Sequence, residues 1–429
     1  MGLQSSVETA MSTDFAVDWY RIPLSPERLD ALNRPSDLRG LIQAGGHLVL
    51  MLGTAALAMV AARDQAWWLL AAVLYLHGTV CAFTINAVHE LVHGTVFRSR
   101  WLTQSFVHVF AFIGWHDPHA FWASHRQHHR YTLHDPHDRE VVVPITIHFQ
   151  DMVRAWTVDV FTMHRHVRKA WRRASGRIGS EWLESVSSPN ERRAIVWWNR
   201  CLLVGHGVIA GVSVAEGWWV VPVVVSLTPM YARGLFFMMN ATQHAGLPGH
   251  VRDFRINSRT ILVNPVLRFL YWQMNYHIEH HMYAGVPCYR LGELHREVEH
   301  ALPPSCHGLV ETWFHIIGVL WRQREDPNYV YLAPLPEDAD QTQQLSGFAS
   351  GSGLEPPLQH GTHDGLEGTA GRTWVCKVCG FMYHEERGMP DEGIAPGTAW
   401  EAIPDDWRCP DCGMAKRAFH MVELSSASS

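Results

Sequence analysis

Charge is scarce in this chain: Asp, Glu, Lys and Arg make up 18% of its 429 residues, below the roughly 25% usual for soluble domains. There is no basic excess either. The formal net charge is −6, which gives no reason to expect nucleic acid as a partner. The first 40 residues carry charges throughout and lack an apolar run, so no cleaved signal peptide is expected there. A disulfide framework is also missing. Of eight cysteines, Cys81, Cys201, Cys288 and Cys306 are solitary, whereas Cys376, Cys379, Cys409 and Cys412 form two C-x-x-C pairs. That spacing belongs to a metal site in a reducing compartment.

What the chain has in abundance is apolar surface and imidazole, with 47% hydrophobic residues, 19 Trp and 29 His. The apolar residues fall into two blocks, each reading as two helices joined by a minimal turn. The first block runs over 47–62 and 66–88, the second over 202–215 and 218–239. The later member of each pair approaches the roughly 20 residues that span a bilayer, and the shorter earlier members imply tilt or a partly re-entrant path. Two spans return the chain to its starting side, so the segments leaving the second and fourth spans share one membrane face. The segment 154–200 between the pairs holds Arg154, Arg165, Arg168, Lys169, Arg172, Arg173, Arg177, Arg192, Arg193 and Arg200, and the opposite turns hold almost no positive charge. The positive-inside rule puts that face in the cytoplasm. Residues 309–321 read as an amphipathic helix at the interface. Residues 336–372 turn to Gly, Ser, Gln, Asp and Pro, the composition of a flexible linker.

The histidines cluster. "HIEHH" places His277, His280 and His281 at i, i+3 and i+4 on one helix face, with Glu279 pointing away. "HRQHH" repeats the spacing with His125, His128 and His129, and "HELVH" sets His89 and His93 one turn apart. A fourth candidate, "NATQH", adds Asn240 and His244 after the last span. One such triplet is no proof of a metal; clusters on one membrane face are hard to account for without one. "HELVH" alone also fits an intramembrane zinc protease, with two His ligands and a Glu base. Nine imidazoles, however, exceed one tetrahedral zinc and suffice for two ions at four to five ligands each. Imidazole by itself leaves iron, copper, zinc and nickel open. Two "HDPH" motifs, at 116–119 and 134–137, read as loop punctuation. Glu90 and Glu279, inside the boxes, read as partners that orient His rings or as solvated charges.

Near the C-terminus, "CKVCGFMY" and "PDDWRCPDCGMAKRAF" form two knuckles that make a tetrahedral thiolate site for zinc or iron. Around them Gly380, Tyr383, "GIAPGTAWEAIPDDW" (393–407), Pro410, Gly413, Lys416 and Phe419 closely resemble rubredoxin. Met389 departs from that pattern, where an acidic residue is common, and touches no ligand position. The resemblance implies one iron on Cys376, Cys379, Cys409 and Cys412, carrying one electron at a time. A zinc ribbon on a non-catalytic metal-binding membrane protein is the bland reading.

With H-x3-H, H-x2-H-H, H-x2-H-H and N-x3-H in place, residues 35–330 resemble the membrane fatty acid desaturases, above all in "NYHIEHHMYAGVPCYRLGELH" (275–295). The resemblance implies a mainly α fold: a four-helix transmembrane bundle, a cytosolic helical cap holding a non-haem di-iron centre, and a small C-terminal rubredoxin-like domain. The implied iron ligands are His89, His93, His125, His128, His129, His244, His277, His280 and His281, with Asn240 bridging through water and no catalytic residue beyond the ligands. The expected domains are a cytosolic segment 1–40, the His-box domain 41–335, the linker 336–372 and the rubredoxin domain 373–423. The expected activity is O2-dependent desaturation of a fatty-acyl or lipid chain, with hydroxylation or O-demethylation as the alternative. Electrons come from an NAD(P)H-dependent rubredoxin reductase. Four spans imply a place in the cytoplasmic membrane, and an apolar substrate follows by analogy alone.

Overall fold

The computed structural model describes residues 17–138, 140–141, 145, 147–179, 189–336, 372–376, 381–409, 414–416 and 421–424. The expected linker lies almost wholly outside these residues, as do Cys379 and Cys412.

Among the described residues, three helices are long and apolar enough to cross a membrane: Asp37–Arg63, Trp67–Val92 and Pro189–Glu216. The first two form an antiparallel hairpin whose turn is made by Asp64 and Gln65, Gln65 having φ 56°. The first span starts earlier than its apolar run, because Ser36 caps a turn at Asp37 and a π-helical stretch at Leu41–Gly45 carries the chain into the membrane. At 26 residues the second span is about 39 Å long, so its final turns extend past a hydrocarbon core of roughly 30 Å. Those turns carry His89.

The expected fourth span, 218–239, is not one helix. It breaks into Val220–Val225, a single 3-10 turn at Thr228–Met230 and Gly234–Ala241. Pro222 and Pro229 cannot donate to a helical ladder, and Tyr231 instead bridges to Val158 of the preceding segment. Apolar composition therefore exceeded helical continuity here. Gly78 lets the broken segment lie against the second span, since a Cβ there would fall 2.4 Å from Tyr231 Cδ2.

On the box side of the spans the chain builds a helical cap. The helix Pro118–Tyr131 starts at Asp117, whose carboxylate accepts from the backbone of His119 and Ala120. The same carboxylate accepts from Asn199 Nδ2 at 2.6 Å and lies 3.3 Å from the Arg173 guanidinium, tying this helix to the third span. The first "HDPH" is thus a helix start, and its Asp is the structural member. The amphipathic helix extends over Gly308–Glu325. Its Trp313 and Ile316 pack inward, while Val310, Phe314, Ile317 and Trp321 form an exposed apolar face of the kind that lies in a membrane interface. The described N-terminal residues are not a separate segment. Trp19, Ile22, Leu29 and Leu32 belong to the main core, together with Leu91, Ile278 and Met282.

The C-terminal module has its own core of Tyr383, Trp400, Ile403 and Trp407. Its sheet places Thr373–Cys376 between Met382–His384 and Met421–Leu424, both antiparallel to it.

Candidate metal centre

The four box segments come from distant parts of the chain, and the fold brings all nine histidines together. They divide into two groups. His89, His93, His125, His129 and His280 form one, and His128, His244, His277 and His281 form the other, the candidate donor atoms of each lying within 4.8 Å of one another. That spread is close to the ~4.2 Å across an ion with bonds of about 2.1 Å to nitrogen. Alternation along the helix explains the split: His125 and His129 share one turn-to-turn row, and His128 stands beside it facing the other group.

Within the groups ring nitrogens face each other. His93 Nε2 and His125 Nε2 are 3.1 Å apart, His129 and His125 3.0 Å, and His280 and His129 3.1 Å. In the other group His277 Nε2 lies 2.9 Å from His244 and 3.1 Å from His281. The Nδ1 partners decide what these approaches are. His125 Nδ1 lies 2.7 Å from Glu140, His128 Nδ1 2.8 Å from Asp138, and His244 Nδ1 2.8 Å from the carbonyl of Asn257. His281 Nδ1 is 3.2 Å from Thr132 Oγ1, a hydroxyl already donating to the His128 carbonyl at 2.7 Å. Each of these rings therefore spends its one N–H outward and points an Nε2 lone pair inward. Ring nitrogens gathered at this spacing, with the Nε2 lone pairs of His125, His244 and His281 directed inward, are a donor set for cations. The donor set fits metal ions.

Burial holds His125, His129, His277, His280 and His281 well below the ordinary imidazole range, and neighbouring rings add to the effect. His244 is pushed down to about 3 by the same cause. Neutral rings are what metal binding needs. Burial also disfavours charge on His128, but the Asp138 carboxylate overrides it and raises that ring above its ordinary value.

Glu90 is buried with its carboxylate 3.1 Å from His89 Nδ1 and 3.4 Å from His280 Nδ1, so it spans two boxes of one group. Glu279 points away from the rings and is buried, not solvated. It accepts from Thr260 Oγ1 at 2.5 Å and pairs with His295, which anchors the third-box helix to the helix Leu291–Val298. Asp138 and Glu140 were not singled out in the sequence, although the acids of "HDPHDRE" after the second box were the available signal. His116 and His134 lie outside both groups, on Thr84 and on Trp19 and His250 respectively.

A cavity of about 460 Å³ opens on His89, His125, His128, His244 and His277. Ile85, Phe121, Val141, Ile145 and Phe236 give it apolar walls, and Asn86, Asn240 and Gln243 add amides. Asn240 thus lines the cavity and is exposed to it. Asn86 Oδ1 is buried without a hydrogen-bond partner among the described residues.

In the small module Cys376 and Cys409 are buried, and the two knuckles close alike: Cys376 N donates to Phe381 O at 2.7 Å, and Cys409 N to Met414 O at 2.9 Å. Their partners Cys379 and Cys412 lie outside the described residues.

The fatty acid desaturase family profile matches residues 66–313, more than half of the chain. The chain belongs to the fatty acid desaturase family. The rubredoxin profile matches residues 373–419. That region is 60% identical over 53 residues to Rubredoxin-1 of Alcanivorax borkumensis, covering 98% of that protein and 12% of this chain. It is 57% identical over 54 residues to Rubredoxin-2 of Pseudomonas aeruginosa, covering 98% of that protein and 13% of this chain. A desaturase unit and a rubredoxin domain on one chain make a non-haem iron oxidoreductase. The zinc-protease reading falls with this match, and His89 and His93 share their group with three rings from other segments.

Proposed function

We propose that this protein desaturates a fatty-acyl or similar lipid chain at the nine-histidine site, with electrons supplied by its own rubredoxin domain. The observation that carries the reading is the convergence of candidate donor nitrogens in one group of five histidines and one of four, opening on an apolar-walled cavity. His89, His93, His125, His129 and His280 hold one iron, His128, His244, His277 and His281 the other, and Asn240 reaches the site through water. Iron bound there supplies O2 reduction and hydrogen abstraction from a C–H bond too weakly acidic for any side-chain base. Glu90, Asp138 and Glu140 fix the ring tautomers. Ile85, Phe121 and Phe236 position the chain and exclude water. For each CH2–CH2 unit, one O2, two electrons and two protons are consumed, and an alkene and two waters leave. The four cysteines hold the iron that passes the electrons singly, and an NAD(P)H-dependent rubredoxin reductase refills it. The Arg-rich segment 154–200 on the box side supports a cytosolic face for both metal sites.

The amides of Asn86, Asn240 and Gln243 beside the same cavity favour a second reading, in which the substrate carries a polar group near the reacting carbon and is hydroxylated or O-demethylated. Product analysis under ¹⁸O2 separates the two. Membranes containing the protein, a rubredoxin reductase and NAD(P)H are given a mixture of acyl lipids and alkanes. A new double bond without label is the expected result. Label in an organic product overturns desaturation in favour of oxygen insertion, and an untouched mixture with reducible iron present overturns the lipid substrate.

A further inference from the structure

We infer that the turn Met282–Ala284 and the helix Pro26–Leu32 together form the port at which the rubredoxin domain docks and its electrons enter the histidine site. This rests on the proposal that the fused domain is the electron donor, and adds where it binds.

Three observations carry it. Ala284 is buried in the apolar cluster that forms the module's core and includes Cys376, Cys409 and Met414, so this turn of the desaturase unit meets the module. Beside that contact Arg408, the residue before Cys409, lies 3.0 Å from Asp30 and donates to the carbonyl of Pro26 at 3.2 Å. Finally, the N-terminal segment that carries Asp30 is itself clamped to the turn. Arg21 Nε donates to Met282 O at 3.0 Å, Tyr283 OH donates to Ile22 O at 2.6 Å, and Arg28 pairs with Glu297. The docking contact and the third box are thus held by one rigid set of bonds.

Chain connectivity makes the port short. Ala284 is three residues from His281 and four from His280, one ring from each group. Three peptide steps put Ala284 and His281 Cα atoms at most about 11 Å apart. One electron leaves the ferrous tetrathiolate iron, which becomes ferric, and reduces one ferric ion of the histidine site; a second transfer follows after the reductase has refilled the donor. None of residues 282–284 lines the cavity. Substrate and electrons therefore reach the centre through different residues, and a bound substrate leaves the electron entry open.

Docking is tested without the histidine-bound metal by zero-length carbodiimide coupling in the full-length R408K variant. The new amine is expected to link to Asp30, giving one cross-linked peptide pair by mass spectrometry; absence of that pair overturns the docked arrangement. Electron entry is tested by reducing the iron-loaded protein, mixing with O2 and following the return of the ferric tetrathiolate colour. D30R replaces attraction by repulsion beside Arg408, and is expected to slow the return about tenfold at low salt, while reductase-driven bleaching of the colour stays unchanged. The swap D30R with R408D is expected to restore the rate. Wild-type colour return in D30R overturns the port. Cys409→Ser distinguishes this from failure of the donor reading: full NAD(P)H-driven turnover in that variant removes the rubredoxin as donor, whereas turnover lost in Cys409→Ser but normal in D30R leaves the donor and removes the port.

Discussion

Asp138 provides the sharpest test of how the site is built. Its carboxylate lies 2.8 Å from His128 Nδ1, and both groups are buried. It is the Nδ1 partner that fixes one ring of the four-histidine group, and no ring of the five-histidine group has a described bond to it. Asp138→Asn removes the charge that makes His128 a stronger donor. Loss of such a ligand-orienting partner costs typically about 10–100-fold in metal affinity, or roughly 1.4–2.7 kcal/mol. The substitution has a second, separable effect. Asp138 also accepts from the backbone of Leu133, Glu140 and Val141 at 2.9, 2.9 and 3.1 Å, and an amide cannot accept on both sides. An unmet N–H there costs about 1–3 kcal/mol of local stability. Metal-free protein titrated with ferrous ion against a chelator, with iron per chain read by elemental analysis, separates the two effects. The expected outcome is one weak and one unchanged histidine-bound iron, together with a lowered melting temperature of the metal-free protein. Equal weakening of both irons would mean that the variant only loosens the cap. Unchanged affinity at both would refute the assignment of Asp138 as the partner that tunes His128.

Three further outcomes follow from other parts of the structure. His280→Ala removes one donor of the five-histidine group and should abolish turnover and lower iron per chain while the tetrathiolate absorption band persists; retained turnover would sink the metal assignment. In the small module Glu385 is held down to about 2: burial works against its charge, but hydrogen bonds from Trp400 N, Trp374 and Arg372 outweigh it. Because the folded value lies below an unfolded value near ~4.3, the stabilisation is present above about pH 4.5 and is lost as pH falls toward 2. The melting temperature of the rubredoxin domain should therefore drop over that window, and less steeply in Glu385→Gln; identical slopes would contradict it. Finally, Gly78→Val forces atoms into the Tyr231 ring and should cost about 1–3 kcal/mol by overpacking, read as a lower denaturation midpoint in detergent, where an unaltered midpoint would show that the broken segment is not packed as described.

The chemistry of this chain was largely written in local spacing. Imidazoles at i, i+3 and i+4 share a helix face, and paired C-x-x-C knuckles suit one ion, so the candidate metal ligands could be named from short stretches of sequence. The apolar blocks likewise marked the three candidate spans Asp37–Arg63, Trp67–Val92 and Pro189–Glu216. What depended on long-range packing was not legible. Helical spacing separates His128 from His125 and His129 within a box, but which rings of different boxes share a group follows from how helices 118–131 and 277–282 approach each other, which no spacing encodes. The acids that hold the rings are set by loops, and Glu279 is buried because Thr260 and His295 come to it from distant segments. The fourth apolar segment shows the limit from the other side, since hydropathy registers composition, whereas Pro222, Pro229 and the Tyr231 bridge determine the path. The N-terminal residues read as a charged cytosolic segment, whereas the structure ties Arg21, Ile22 and Arg28 to Met282, Tyr283 and Glu297 around the third box. Sequence determined which atoms could bind metal, because covalent spacing fixes what one turn of helix presents; tertiary structure alone decided which rings gather in one group and which acids and carbonyls meet their outer nitrogens, because those relations exist only between segments far apart in the chain.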